Sequence, residues 1–225
     1  MRKVLVLGGT GDIGAAIASE LEARYSDDVL CVGKNLLDLS SPESIDYFLT
    51  TYGSNFDVVV HSAGYNNPGP FETLSEEDIR LSIEINLMGF LKIVKAVTPH
   101  WKTNAGGRLI VISSLYGFLS RRGRLPYALS KHALIGVVKT LAIELGAFGV
   151  TANAVSPGFV NTKMTSKNNN SETISRLVAG IPLGRLGTTS EIAKVVSFLA
   201  SPDATYITGH DLVVDGGYSI GGFQG

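Results

Sequence analysis

Short runs of apolar, largely β-branched residues alternate with longer helical stretches along the chain. Runs at Lys3–Leu7, Val29–Val32, Asp57–His61, Arg108–Ser113, Thr151–Val155 and Leu212–Val214 read as strands. Between them lie helically patterned stretches at Ile13–Arg24, Pro42–Thr51, Glu76–Lys102, Pro126–Phe148 and Ser190–Ala200. The strand runs are continuously apolar rather than alternating, as expected of strands covered on both faces. Parallel neighbours need a crossover, helices supply it, and those helices then cover the sheet.

Directly after the first strand comes Gly8-Gly9-Thr10-Gly11-Asp12-Ile13-Gly14, which opens the first helix. Glycines there allow a tight turn and let backbone N–H groups approach a pyrophosphate at a helix N-terminus, where the dipole favours negative charge. In this strand–loop–helix setting the motif predicts a dinucleotide site on a Rossmann-type, doubly wound α/β sheet. The end of the second strand bears on cofactor choice. NAD sites put an acidic residue there and NADP sites a cation, and Val32-Gly33-Lys34-Asn35 offers Lys34, with no carboxylate before Asp38. NADP is favoured over NAD on that ground, the other reading of Lys34 being a solvated surface lysine.

With 225 residues, 44% of them hydrophobic, the chain is long enough for one sizeable core, and a single domain spanning residues 1–225 is expected. A net charge of −1 gives no general attraction to nucleic acid or to an acidic membrane. The single cysteine, Cys31, forms no internal disulfide and no metal cluster, and no metal site is expected. The apolar start Val4–Leu7 is too short for a signal segment, so a soluble cytoplasmic protein is expected.

Tyr127 and Lys131 in Pro126-Tyr127-Ala128-Leu129-Ser130-Lys131 sit at i and i+4, on one face of a helix. A free phenol, with a pKa of about 10, is a poor base at neutral pH, and a fixed positive charge beside it lowers that value. Ser114, at the end of the run Leu109–Ser113, can hydrogen-bond the same substrate oxygen. Taken alone, an aromatic and a lysine four residues apart can also be accidental.

Together these motifs resemble the short-chain dehydrogenase/reductase family, single-domain branch, over nearly the whole chain. Ser114 and Tyr127 have that family's spacing, and Asn86-Leu87-Met88-Gly89 matches its catalytic asparagine motif. Ser156-Pro157-Gly158-Phe159-Val160-Asn161-Thr162 matches the segment that grips the nicotinamide. Ile181-Pro182-Leu183-Gly184-Arg185-Leu186-Gly187 and the tail Ile207–Gly217 look most like the 3-oxoacyl-acyl-carrier-protein reductases.

The resemblance implies a carbonyl–alcohol oxidoreductase, with acyl thioesters among its candidate substrates. Tyr127 would be the general acid/base, Lys131 would lower its pKa and hold the nicotinamide ribose, and Ser114 would orient the substrate. Asn86 would interrupt its helix and hold a water linking Lys131 to solvent. Cofactor contacts would come from Gly8, Thr10, Gly11, Asp12, Ile13, Gly14, Lys34, Asp38, Leu39, Ser62, Ala63, Gly64, Tyr127, Lys131, Pro157, Gly158, Val160 and Thr162. Competing readings are a non-catalytic NADP(H) sensor or scaffold and, from the Gly8-x-x-Gly11-x-x-Gly14 spacing, a sugar-nucleotide-modifying enzyme of the extended branch.

Three departures from the family pattern bear on structure. Asp12 stands where the single-domain branch usually has glycine, so its carboxylate should point away from a pyrophosphate, as a helix cap would. His61-Ser62-Ala63-Gly64 replaces Asn-Asn-Ala-Gly, and His61 reads as structural. The chain passes almost directly from Lys34 to Asp38-Leu39, leaving no room for the family's third strand and the helix before it, so the sheet should have six strands, with Asp38 and Leu39 still reaching the adenine.

Phe118, Leu119, Arg121, Arg122 and Arg124 should border the substrate, and the arginines either recognise an anionic or carrier-linked one or are ordinary surface or subunit-contact charges. The polar run Thr165–Ser171 reads as a mobile loop, forming a lid with the helix beyond it. The helices carrying Ile93–Trp101 and Leu134–Ile143 are apolar nearly all round, which predicts a homodimer or, by the resemblance, a homotetramer.

Overall fold

The structure is a computed structural model describing residues 1–221. Six parallel strands form one sheet, in the order β2-β1-β3-β4-β5-β6. They are β1 (Lys3–Leu7), β2 (Asp28–Val32), β3 (Val58–His61), β4 (Gly107–Ile112), β5 (Val150–Pro157) and β6 (Asp211–Val214). Every expected strand is present to within two residues at either end. The sheet stops at β2, as the short Lys34–Asp38 connection requires, because residues 33–41 form turns only. β1 pairs with β2 on one side and β3 on the other, so the strand order reverses direction there. A crevice opens at such a reversal, outside the carboxyl ends of the strands.

Helices cover both faces. On one, α1 (Asp12–Tyr25) and α8 (Thr189–Leu199) bury Ile17, Leu21, Ile192 and Val196 against Val4, Val6, Val60 and Ile110. On the other, α2 (Pro42–Tyr52), α4 (Gly89–Thr103) and α5 (Leu125–Leu145) bury Phe48, Phe90, Val97, Trp101, Leu134 and Val138 against Leu5, Leu7, Val59 and Leu109. Alternate residues of the same strands feed the two cores, which explains their unbroken apolar runs.

α3 (Glu76–Ile83) and α4 are joined through a π-helical turn, Glu84–Met88, within the single stretch expected to be helical. Gly89 starts α4 against the connection that replaces the missing crossover. A Cβ there would lie 2.1 Å from the carbonyl oxygen of Leu39, so only glycine permits the approach.

The polar run after Thr162 differs from expectation. Residues Lys163–Asn168 form α6 and Ser171–Ala179 form α7, with only Asn169 and Asn170 between them. Side-chain capping overrides the loop-like composition. The Thr162 hydroxyl accepts from Thr165 N at 3.2 Å, and the Asn170 side chain accepts from Thr173 N at 2.8 Å. No helix among the described residues is long and apolar enough to cross a membrane.

Candidate active site

The crevice between the ends of β1, β2 and β3 is lined by Leu7, Gly8, Val32, Gly33, Lys34, Leu37, Asp38, Leu39, Ala63 and Ile85. Five of the expected cofactor residues thus share one wall: Gly8, Lys34, Asp38, Leu39 and Ala63. Leu37 and Ile85 complete the apolar floor and were not singled out from sequence. Leu37 is screened there by the neighbouring leucines, and Ile85 by the asparagine motif that follows it.

The glycines make the crevice by close approach. Gly8 turns with φ +79, and a Cβ on it would lie 2.5 Å from Ala63 N. A Cβ on Gly14 would lie 2.2 Å from Gly8 O, and one on Gly33 would lie 2.3 Å from the Thr10 hydroxyl. Gly11 is the N-cap of α1 and has no side chain to occupy the helix N-terminus. These features fit a dinucleotide, with a flat apolar slot for a base and uncapped amides for a pyrophosphate.

Asp12 is not the helix cap. It is the first residue of α1, and its Oδ2 accepts from Lys163 N at 2.6 Å, at the start of α6. The carboxylate does turn away, but to tether the segment beyond β5. Lys34 is well exposed and lies 3.6 Å from Asp38 Oδ2, so its charge is partly matched. Burial opposes ionisation of Asp38, but hydrogen bonds from the Ser40 hydroxyl and N–H, with the Lys34 charge, hold its pKa below the ordinary carboxylate value.

At the other end, Ser114 lies just past β4 and caps the turn Leu115–Gly117 by accepting from Tyr116 N at 3.2 Å. Tyr127 and Lys131 occupy the first turns of α5, whose start is set by Arg124 at the N-cap and Pro126 in the first turn. Lys131 is 3% exposed, donates from Nζ to Ile112 O at 2.7 Å and lies 5.4 Å from the centre of the Tyr127 ring. A Cβ on Gly64 would lie 3.8 Å from Lys131 Nζ and 4.0 Å from Asn86 Oδ1, so the segment after β3 meets both residues.

Asn86, fully buried in the π-turn, holds that segment. Its Oδ1 accepts from Tyr65 N at 2.6 Å, and its Nδ2 donates to Tyr65 O at 3.0 Å and to Ser130 Oγ at 2.9 Å. Its main-chain carbonyl accepts from His61 Nε2 at 2.9 Å. The His61 ring is fully buried and stacks on Phe90, with centroids 4.4 Å apart, while its Nδ1 has no partner. Neither this bond nor those of Tyr65 and Ser130 to Asn86 were anticipated from sequence.

Electrostatics differ from the expected simple depression of the tyrosine pKa. Burial pushes Tyr127 up to about 12, while the Ser114 hydroxyl and the Arg124 charge act downward. Burial draws Lys131 down to about 7. Burial also draws His61 down to about 3, helped by the Lys131 charge. Arg124 thus adds a charge that acts on the phenol, while Lys131, beside the ring, donates to a backbone carbonyl.

In the segment expected to grip the nicotinamide, Pro157 ends β5, and a Cβ on Gly158 would lie 2.7 Å from Asp215 Cα. Val160 forms an isolated parallel bridge with Gly187, and Thr162 caps α6. Ile13 packs against the core between α1 and the sheet, and Ser62 N donates to Leu7 O at 2.8 Å.

Comparison with known proteins agrees with this geometry. A family model described as enoyl-(acyl carrier protein) reductase matches residues 6–219. The 3-oxoacyl-[acyl-carrier-protein] reductase FabG of Vibrio cholerae serotype O1 is 36% identical, over 95% of either chain. Among solved structures, 4-hydroxyisoleucine dehydrogenase complexed with NADH superposes with a TM-score of 0.90 at 27% identity, over 98% of this chain and 100% of that one. ElxO with NADP bound gives 0.86 at 28%, with the same coverage. The chain belongs to the short-chain dehydrogenase/reductase family and is a nicotinamide-dependent oxidoreductase acting on CH–OH and carbonyl groups.

Proposed function

We propose that the chain, as one domain over residues 1–225, is an NADP(H)-dependent enzyme that interconverts a carbonyl and a secondary alcohol, with Tyr127 as general acid in reduction and general base in oxidation. The observation that carries this reading is the convergence of Ser114, Tyr127 and buried Lys131 at the end of β4, beside Gly64 and Asn86. Bound cofactor supplies or accepts the hydride. In reduction the carbonyl carbon gains that hydride and the oxygen takes the Tyr127 proton, leaving an alcohol and a phenolate. Ser114 hydrogen-bonds the same oxygen. Lys131 holds the cofactor ribose, and its poise near neutrality lets it pass a proton back to the phenolate.

Gly8, Thr10, Gly11, Ile13 and Gly14 hold the pyrophosphate, with Asp12 turned aside. Asp38, Leu39 and Ala63 hold the adenosine, and Ser62, Pro157, Gly158, Val160 and Thr162 fix the nicotinamide. NADP is favoured because Lys34 stands at the crevice rim and because ElxO, of the same fold, has NADP bound. The FabG relatives bring 3-oxoacyl thioesters forward as substrates to try. Exposed Leu125, Leu129 and Ile143 on α5 support a homotetramer or homodimer, and cytoplasmic residence follows the original expectation.

An absorbance screen with both cofactors against acyl thioesters, sugars, steroids, quinones and small ketones tests the assignment. Tyr127→Phe should remove nearly all turnover and keep cofactor affinity. Tight NADPH binding without turnover of any class would return the sensor reading.

A further inference from the structure

Arg124 is only 9% exposed, yet its guanidinium has no carboxylate and no side-chain hydrogen bond among the described residues. Its nitrogens are nevertheless not sealed from solvent, since none is among the buried polar atoms lacking a partner. Arg124 is the N-cap of α5, three residues before Tyr127. The titratable groups that feel its charge are the phenols of Tyr116 and Tyr127 and a second cation, Arg121. The rings of Tyr116 and Tyr127 meet edge to face at 6.2 Å. Gly123 turns the chain just before it with φ +74, and its carbonyl accepts from Gly69 N at 3.1 Å, pinning the arginine loop to the segment that follows β3.

An arginine cannot shed its proton in a protein, so a partly desolvated guanidinium that has no counter-charge and is still reachable from solvent favours an anion beside it. Its planar fork matches a carboxylate bidentately. Resting on the function proposed above, we infer that Arg124 binds a carboxylate of the substrate, and that this carboxylate lies within a few bonds of the reacting carbon. The substrates would then be an oxo acid in reduction and a hydroxy acid in oxidation. A carrier-linked acyl thioester is uncharged near its carbonyl and bears its phosphate at the far end of a long arm, so it leaves Arg124 unmatched.

Steady-state rates with NADPH and NADH on 2-oxo-, 3-oxo- and 4-oxopentanoate, on their methyl esters and on the N-acetylcysteamine thioester of the 3-oxo acid test this directly. At least one acid should exceed its own ester by roughly 10- to 100-fold in kcat/KM, the range lost with a charge-assisted hydrogen bond. Arg124→Met should bring that acid-to-ester ratio near one, chiefly through KM, and Arg124→Lys should keep part of it. Any effect of Arg124 on Tyr127 itself cancels in the ratio. Esters or thioester used as well as the acids by the unaltered enzyme would overturn the inference and leave the carbonyl-reductase reading standing, even if Arg124→Met does not fold. An unchanged ratio in Arg124→Met would also overturn it. Turnover of none of these compounds by an enzyme that reduces an uncharged carbonyl of the wider screen would overturn the inference alone.

Discussion

His61 donates from Nε2 to the main-chain oxygen of Asn86 across 2.9 Å, tying the end of β3 to the π-turn. The bond fixes the tautomer, because a carbonyl only accepts, and so leaves Nδ1 as an unprotonated, unpartnered acceptor. Protonation would place a second charge in a sealed site near Lys131.

That arrangement predicts acid sensitivity. His61 titrates at about 3 when folded and near the ordinary 6.5 when unfolded. Between those values the unfolded chain holds more protons, so stability falls as pH drops through this window and is unaffected by His61 above it. At pH 4.5 the loss should be roughly 2–3 kcal/mol. Urea unfolding at pH 7.5 and 4.5 should show a larger drop for the unaltered protein than for His61→Asn, and equal drops would refute the assignment.

Lys131 acts in the same sense over a more alkaline window. Its folded pKa of about 7 lies below the ordinary lysine value of 10.5, so between these values the unfolded chain again holds the extra proton. Stability should therefore rise with pH from about 7 to 10 relative to Lys131→Met. Parallel denaturation curves for the two proteins over that range would contradict the burial argument. Turnover in Lys131→Met should be nearly abolished.

Lys34 and Asp38 should set cofactor preference together. An exposed pair of this kind contributes up to about 1 kcal/mol, so the effects are several-fold rather than absolute. Asp38→Asn frees Lys34 and should raise the NADPH-to-NADH ratio of kcat/KM, and Lys34→Ala should lower it. Ratios that move together in both variants would exclude this account.

Asp12 links the glycine loop to α6 through Lys163 N. Its carboxylate also sits in the first turn of α1, where the dipole favours it by up to about 1 kcal/mol. Asp12→Ala should cost about that much stability and speed limited proteolysis within residues 163–170. An unchanged cleavage pattern would show that the tether does not hold the segment.

The strands and most helices were legible because each buries a patterned face, and Asn86, Ser114, Tyr127 and Lys131 could be picked out as candidates because each lies in a short motif and the motifs follow in a set order along the chain. The truncated sheet edge could be read from the short Lys34–Asp38 connection alone. What escaped were contacts made across the fold. α6 was hidden because a cap outweighs composition, and the roles of His61 and Asp12 depend on partners 25 and 151 residues away. The raised phenol pKa was missed because spacing places Lys131 beside Tyr127 but does not reveal how far the fold desolvates the phenol.

The bare Gly89 against Leu39 has a mechanical consequence. Leu39 forms part of the crevice wall, and Gly89 lies three residues beyond Asn86 on the same continuous helix. The chain thereby braces one wall of the crevice on the helix that carries Asn86. A side chain as small as alanine at Gly89 would push on both at once, so the crevice wall and the π-turn share a single joint.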